Sequence, residues 1–135
     1  MRFSTIASAS GAAALALALA APPAAAQTQV LKERTTEIPR GAEHEARMFV
    51  AEIPPGGAGQ LHTHPAPVLV YVLEGTLTFE PDGQEPREYH SGQAYMEPTT
   101  LRHRVRNRST SERLRILVTQ VADPSQPLHV IVTPQ

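Results

Sequence analysis

His62-Thr63-His64 and His103 are the side chains whose types and spacing point most directly to chemistry. His62 and His64 fall in a segment with strand character, where residues i and i+2 share one face with Cα atoms about 6.6 Å apart. Two imidazoles so placed can reach one metal ion at about 2.0–2.2 Å. A third histidine from a partner strand would close one side of the coordination shell. Around His103, Arg102, Arg104, Arg106 and Arg108 alternate with Leu101, His103, Val105 and Asn107. Arginines on one face of a strand belong in solvent, which turns His103, Val105 and Asn107 inward. Histidines inside an aliphatic interior need a partner for their polar atoms.

The elements that must position these rings read as strands throughout. Beyond residue 27 no window carries a helical i, i+3, i+4, i+7 apolar pattern. Short β-rich runs instead occupy Val30–Arg34, Met48–Ile53, Gln60–His64, Val68–Leu73, Thr76–Glu80, Arg87–His90, Ala94–Glu97, His103–Arg108, Leu114–Val121 and His129–Val132. Clusters of Gly, Pro, Asp and Ser separate them, the pattern of a sandwich or barrel. At Pro81-Asp82-Gly83 the glycine supplies the positive φ a reversing chain needs. Thr35–Ala46 is polar and aperiodic, and is expected to be loop. Evenly spaced antiparallel strands in about a hundred residues point to an all-β jelly roll.

Residues 1–26 read as a leader rather than fold. Arg2 is followed by an Ala/Leu stretch at Ala12–Ala21, then Pro22-Pro23 and the small residues Ala24-Ala25-Ala26 before Gln27. The apolar run is short of the roughly 20 residues a membrane span needs, so a cleaved signal peptide, cut near Ala26/Gln27, is expected, with no stable membrane anchor afterwards. The destination is the periplasm or the medium, and residues 27–135 form one domain. The chain has no cysteine, which excludes disulfides, thiolate chemistry and lipid attachment through cysteine. A formal net charge of −1 gives no nucleic-acid footprint.

The histidines and their spacing resemble the cupin superfamily, in particular its small single-domain members with a type-2 cupin domain. The family's first motif runs Gly, five residues, His-x-His, then Glu and a closing Gly; Gly56, His62, His64 and Gly75 occupy its places. Its second runs Gly, five residues, Pro-x-Gly, two residues, His, three residues, Asn; Gly92, Pro98, His103 and Asn107 match. Motif one thus spans residues 56–75 and motif two residues 92–107. The resemblance implies a double-stranded β-helix, the jelly-roll cupin barrel, with His62, His64 and His103 as ligands of one divalent transition metal. It also implies pairing into homodimers through edge strands.

Two positions depart from the pattern. Thr100 stands where motif two has glycine, and the turn there is expected to avoid positive φ. Val68 stands at the place of the motif-one glutamate and cannot coordinate. An all-imidazole set suits Fe, Cu, Zn or Ni better than the hard ions Mn²⁺ and Mg²⁺. Three protein ligands leave positions open for O₂, water or a chelating substrate. Three-histidine cupins resemble dioxygenases acting on diketone-like molecules, so a dioxygenase-like oxidoreductase is the first expectation. A metal- or small-ligand-binding or sensing protein without catalysis, and a metal-dependent isomerase or lyase, are the alternatives. Glu97, just before Pro98, is the one nearby replacement ligand, although a surface glutamate is the commoner case.

A small organic ligand is expected against a partly apolar wall. Gln60, Val68, Val70, Val72, Phe79, Met96 and Leu101 are the pocket candidates, while no catalytic side chain is singled out. His44, His90 and His129 are expected at the surface. Tyr71 and Tyr95 are expected to pack in the wall with their hydroxyls in water.

Overall fold

The computed structural model describes residues 27–133 except Pro39 and Ala42; the leader read at residues 1–26 lies outside the described residues. Among the described residues nine strands form in chain order: β1 (Glu45–Ile53), β2 (His62–Thr63), β3 (Val68–Glu74), β4 (Thr76–Pro81), β5 (Arg87–His90), β6 (Ala94–Glu97), β7 (His103–Arg106), β8 (Leu114–Ala122) and β9 (Val130–Ile131). They pair antiparallel in two sheets, one ordered β1-β8-β3-β6 and the other β5-β4-β7-β2-β9. The chain crosses repeatedly from one sheet to the other, which makes this an all-β jelly roll of the double-stranded β-helix kind.

Alternation decides what lies between the sheets. Val68, Val70 and Val72 of β3, Leu114, Ile116 and Val118 of β8, and Leu77 and Phe79 of β4 are buried in one cluster with Tyr95. Each side chain of this size withdrawn from water is worth about 1.5–3 kcal/mol. The β3–β4 connection turns on Gly75 at φ +83°, where an added Cβ would stand 2.6 Å from the Arg113 carbonyl oxygen. Only glycine satisfies both demands.

Two expectations about local structure give way. Val30–Arg34 is not a strand: Leu31, Lys32 and Glu33 run beside Pro67, Leu69, Met96 and Val121 on the outer side of the four-stranded sheet. A run of β-formers becomes a strand only where an edge accepts its hydrogen bonds, and this one lies over a face. At the other end of that segment β1 starts at Glu45, inside the expected loop, because Glu45 and Ala46 extend the unbroken register with Ala122 and Val121.

The arginine stripe is a paired outer surface. Arg104, Arg106 and Arg108 converge on Glu80 at 2.7, 3.0 and 3.1 Å, and Arg102 meets Asp82 at 3.2 Å. Burial alone would raise the Glu80 pKa, but the hydrogen bonds from these arginines hold it down at about 2. A depressed carboxylate stabilises the fold above its unfolded pKa, near 4.5, and that contribution is lost as pH falls from there toward 2. Glu80→Gln is therefore expected to cost about 1 kcal/mol at neutral pH, since Arg104 and Arg108 are half exposed and screened. In urea unfolding the gap between wild type and variant should close between pH 4.5 and 2; a gap unchanged at pH 2.5 would refute the assignment.

Candidate metal centre

His62 on β2 and His103 on β7 are direct partners across the β2–β7 ladder, and His64 follows β2 by one residue. The three ring centroids lie 4.5–5.2 Å apart, and their nitrogen donor atoms all fall within 4.8 Å of one another. His64 and His103 are buried, and His62 is half-buried. Strand parity and the two-strand register thus bring together the three rings expected from the sequence.

The backbone fixes the tautomer of every ring. Nδ1 of His62 donates to the Gln60 carbonyl at 2.7 Å, that of His64 to Leu128 at 2.8 Å, and that of His103 to Leu101 at 2.8 Å. A carbonyl only accepts, so each Nδ1 carries the proton and each neutral ring presents a bare Nε2 lone pair. This is the outer support that metal-ligating histidines use.

Glu97 faces two of these rings from β6. It is 4% exposed, and its Oε2 lies 3.0 Å from His64 Nε2 and 3.5 Å from His103 Nε2. The separations suit hydrogen bonds, yet neither Nε2 has a hydrogen-bond partner among the described residues. Lone pairs facing a buried carboxylate require a positive charge between them, either a proton or a cation. Burial opposes ionisation of Glu97, but His103 and His64 outweigh it and hold its pKa at about 2. Burial likewise works against a charged His103, and Glu97 more than offsets it, raising the pKa. Burial, with His103 and His64 nearby, lowers His62 to about 4, so that ring is neutral at neutral pH. A divalent ion fits this donor set: bare imidazole nitrogens, an ionised carboxylate, and outer hydrogen bonds already made.

Glu97 is a site residue that the sequence left undecided, because Tyr95 and Met96 offer two apolar choices of inward parity. The structure turns Tyr95 and Glu97 inward and Met96 outward, toward Leu69. The Tyr95 hydroxyl is accordingly not in water: it donates to Glu97 Oε1 at 2.8 Å, while the ring stacks on Tyr89 at 4.1 Å.

A cavity of about 150 Å³ opens onto the cluster, lined by His62, His64, Glu97, Phe49, Val70, Val105, Ile116, Val118, Leu128 and His129. Of the seven pocket candidates, Val70 lines it. Val68 and Val72 are spent in the core, and Phe79 packs behind His103 with ring centroids 4.9 Å apart. Leu101 packs against the core, Met96 faces the outer groove, and Gln60 is exposed, serving the site through its carbonyl. His129 was expected at the surface and is exposed, yet its ring stands 5.2 Å from that of His62. No local pattern predicts that contact, since β9 brings it by pairing with β2.

The turn between Glu97 and His103 carries the one positive φ of a non-glycine residue among the described residues, Thr100 at +61°. The expected avoidance of that region does not hold. A β-branched residue there is strained, and the conformation is held in part by the Thr100 N–H, which donates to the His64 carbonyl at 3.2 Å.

A family model described as a cupin domain matches residues 49–120, and the chain belongs to that family. Among solved structures it is similar to the DMSP lyase DddQ from Ruegeria pomeroyi DSS-3, at 24% identity and TM-score 0.58 over 67% of this chain and 44% of that one. It is also similar to the polyketide cyclase RemF from Streptomyces resistomycificus, at 24% identity and TM-score 0.57 over 70% of this chain and 65% of that one. An RmlC-like cupin from Methanocaldococcus jannaschii with a double-stranded β-helix fold aligns at 23% identity and TM-score 0.55, over 62% of this chain and 74% of that one. The chain thus spans less than two thirds of the lyase and the cyclase. No curated protein sequence matches it.

Proposed function

We propose that this chain is an exported, metal-dependent cupin enzyme that oxidises a small organic molecule with O₂. His62, His64 and His103 hold one transition ion, of iron, copper, zinc or nickel. The observation that carries the reading is the convergence of three backbone-oriented imidazoles, two of which, His62 and His64, line an apolar cavity. When bound, an iron or copper ion supplies the redox coupling between O₂ and substrate, and a Lewis acid besides. Phe49, Val70, Ile116, Val118 and Leu128 exclude water and orient the apolar part of the substrate. The cavity is well below the roughly 300–1,000 Å³ of drug-sized ligand sites, which favours a small molecule such as a diketone.

His129 favours a second reading, isomerase or lyase chemistry, because it places a titratable ring on the cavity wall close to His62. Export rests on the leader at residues 1–26. Pairing of two copies is supported by the edge position of β1, which leaves Met48, Phe49 and Val50 exposed. A light-scattering mass of a single chain would refute that pairing.

The test is metal loading of the purified protein, then substrate loss and O₂ uptake on a panel of diketones and flavonols. Equal consumption of O₂ and substrate, with iron or copper bound, is the expected result. Turnover that persists without oxygen moves the assignment to the isomerase or lyase. Stoichiometric metal with no turnover of any compound sinks the enzymatic reading and leaves a binding protein.

A further inference from the structure

We infer that Glu97 is the fourth ligand of this ion, bound through Oε2, and that Tyr95 is the residue that positions it. The inference rests on the metal-centre reading above and deepens it. Glu97 approaches the cluster from a different strand than any of the three histidines, and from the other sheet. Its two oxygens have separate tasks. Oε1 accepts the Tyr95 hydroxyl at 2.8 Å, while Oε2 stands within 3.5 Å of both His64 and His103 Nε2 and makes no hydrogen bond to either. A carboxylate steadied on one oxygen, with the other aimed among ring nitrogens that it does not hydrogen-bond, is arranged for coordination.

The β3–β6 ladder explains how the position arises. Glu97 is the direct Cα partner of Val68, and both side chains are buried on the same inner face. Direct partners in an antiparallel pair hold their Cβ atoms about 4.5–5.5 Å apart. A carboxylate on either residue therefore enters the same region of the barrel. Val68, the residue that removes the carboxylate from β3, stands directly across the ladder from the residue that supplies it on β6. The filled site would combine three imidazoles and one carboxylate. That set lowers the net charge around a divalent ion and extends the acceptable metals to Mn²⁺, which an all-imidazole set disfavours.

The test titrates metal-free protein with Mn²⁺ alone, by calorimetry and by electron paramagnetic resonance, and records the visible spectrum of the Co²⁺-loaded form. Glu97→Gln keeps shape and removes the anionic donor; its Mn²⁺ affinity should fall tenfold or more, with an altered Co²⁺ spectrum. Tyr95→Phe should fall by a smaller factor and leave the Co²⁺ spectrum that of a carboxylate-bound ion. A fall of less than tenfold in Glu97→Gln, or a Co²⁺ spectrum identical to wild type, overturns the assignment. Should Glu97→Gln not fold, the exchange Val68→Glu with Glu97→Val decides: Mn²⁺ affinity within tenfold of wild type supports it, and weaker binding overturns it. The metal-centre reading fails separately, if wild type itself binds none of Mn²⁺, Co²⁺, Fe²⁺ or Zn²⁺.

Discussion

His62→Ala should lose at least a hundredfold in affinity for the transition ion while changing the unfolding free energy by less than about 1 kcal/mol. The asymmetry follows from where the ring sits. His62 is half-buried and neutral at neutral pH, and its ring hydrogen-bonds the Gln60 carbonyl two residues before it. Deleting it removes a donor without stranding a buried charge. His103→Ala should behave differently. Its ring is fully buried, packs against Phe79 and lies beside the Glu97 carboxylate. Removing it opens a cavity and takes away one of the two rings that face the buried Oε2, a loss of about 3 kcal/mol of stability in addition to the metal. Metal content by elemental analysis and urea unfolding of the two metal-free variants check the pair. Full metal content in His62→Ala would end the site assignment.

The largest purely structural effect is expected at Asn107. Its side chain is 1% exposed and ties three segments together: Nδ2 donates to the carbonyls of Ile53, Pro54 and Glu112 at 3.1, 3.2 and 2.7 Å, and Oδ1 accepts from the Ser109 N–H at 3.1 Å. Two N–H groups serve three carbonyls, so one bond is shared. Asn107→Ala leaves these groups unpaired and should cost about 3 kcal/mol. For a domain of this size that is a fall in Tm of roughly 10–20 °C. Asn107→Asp should be no better, since a carboxylate cannot donate to three carbonyls and would face them with negative charge. A Tm within about 3 °C of wild type for Asn107→Ala would contradict this role. The motif asparagine is thus a latch for the loops at one end of the barrel rather than a participant in chemistry.

How far the sequence reached can be judged residue by residue. Val68, Val70 and Val72, or Leu114, Ile116 and Val118, announce their inward face through a period of two, and the structure buries them all. The arginines between Leu101 and Arg108 did the same service for His103 and Asn107. Parity failed where both choices were apolar, at Tyr95-Met96, and with it went the placement of Glu97 and the surroundings of the Tyr95 hydroxyl. The expected turn geometry failed at Thr100 because the conformation there is tied to a partner far off in sequence, the His64 carbonyl, which accepts the Thr100 N–H.

Most of the strands and the inward direction of the three histidines were determined by the chain itself, because each depends on neighbours within a few residues. Only the tertiary structure decided that Val68 faces Glu97 across a ladder, that the Leu128 carbonyl accepts a hydrogen bond from His64, and that His129 overlooks the cavity. Those facts depend on register between strands far apart in sequence and on the return of the C-terminal segment over β2, neither of which leaves a period in the residues to be read.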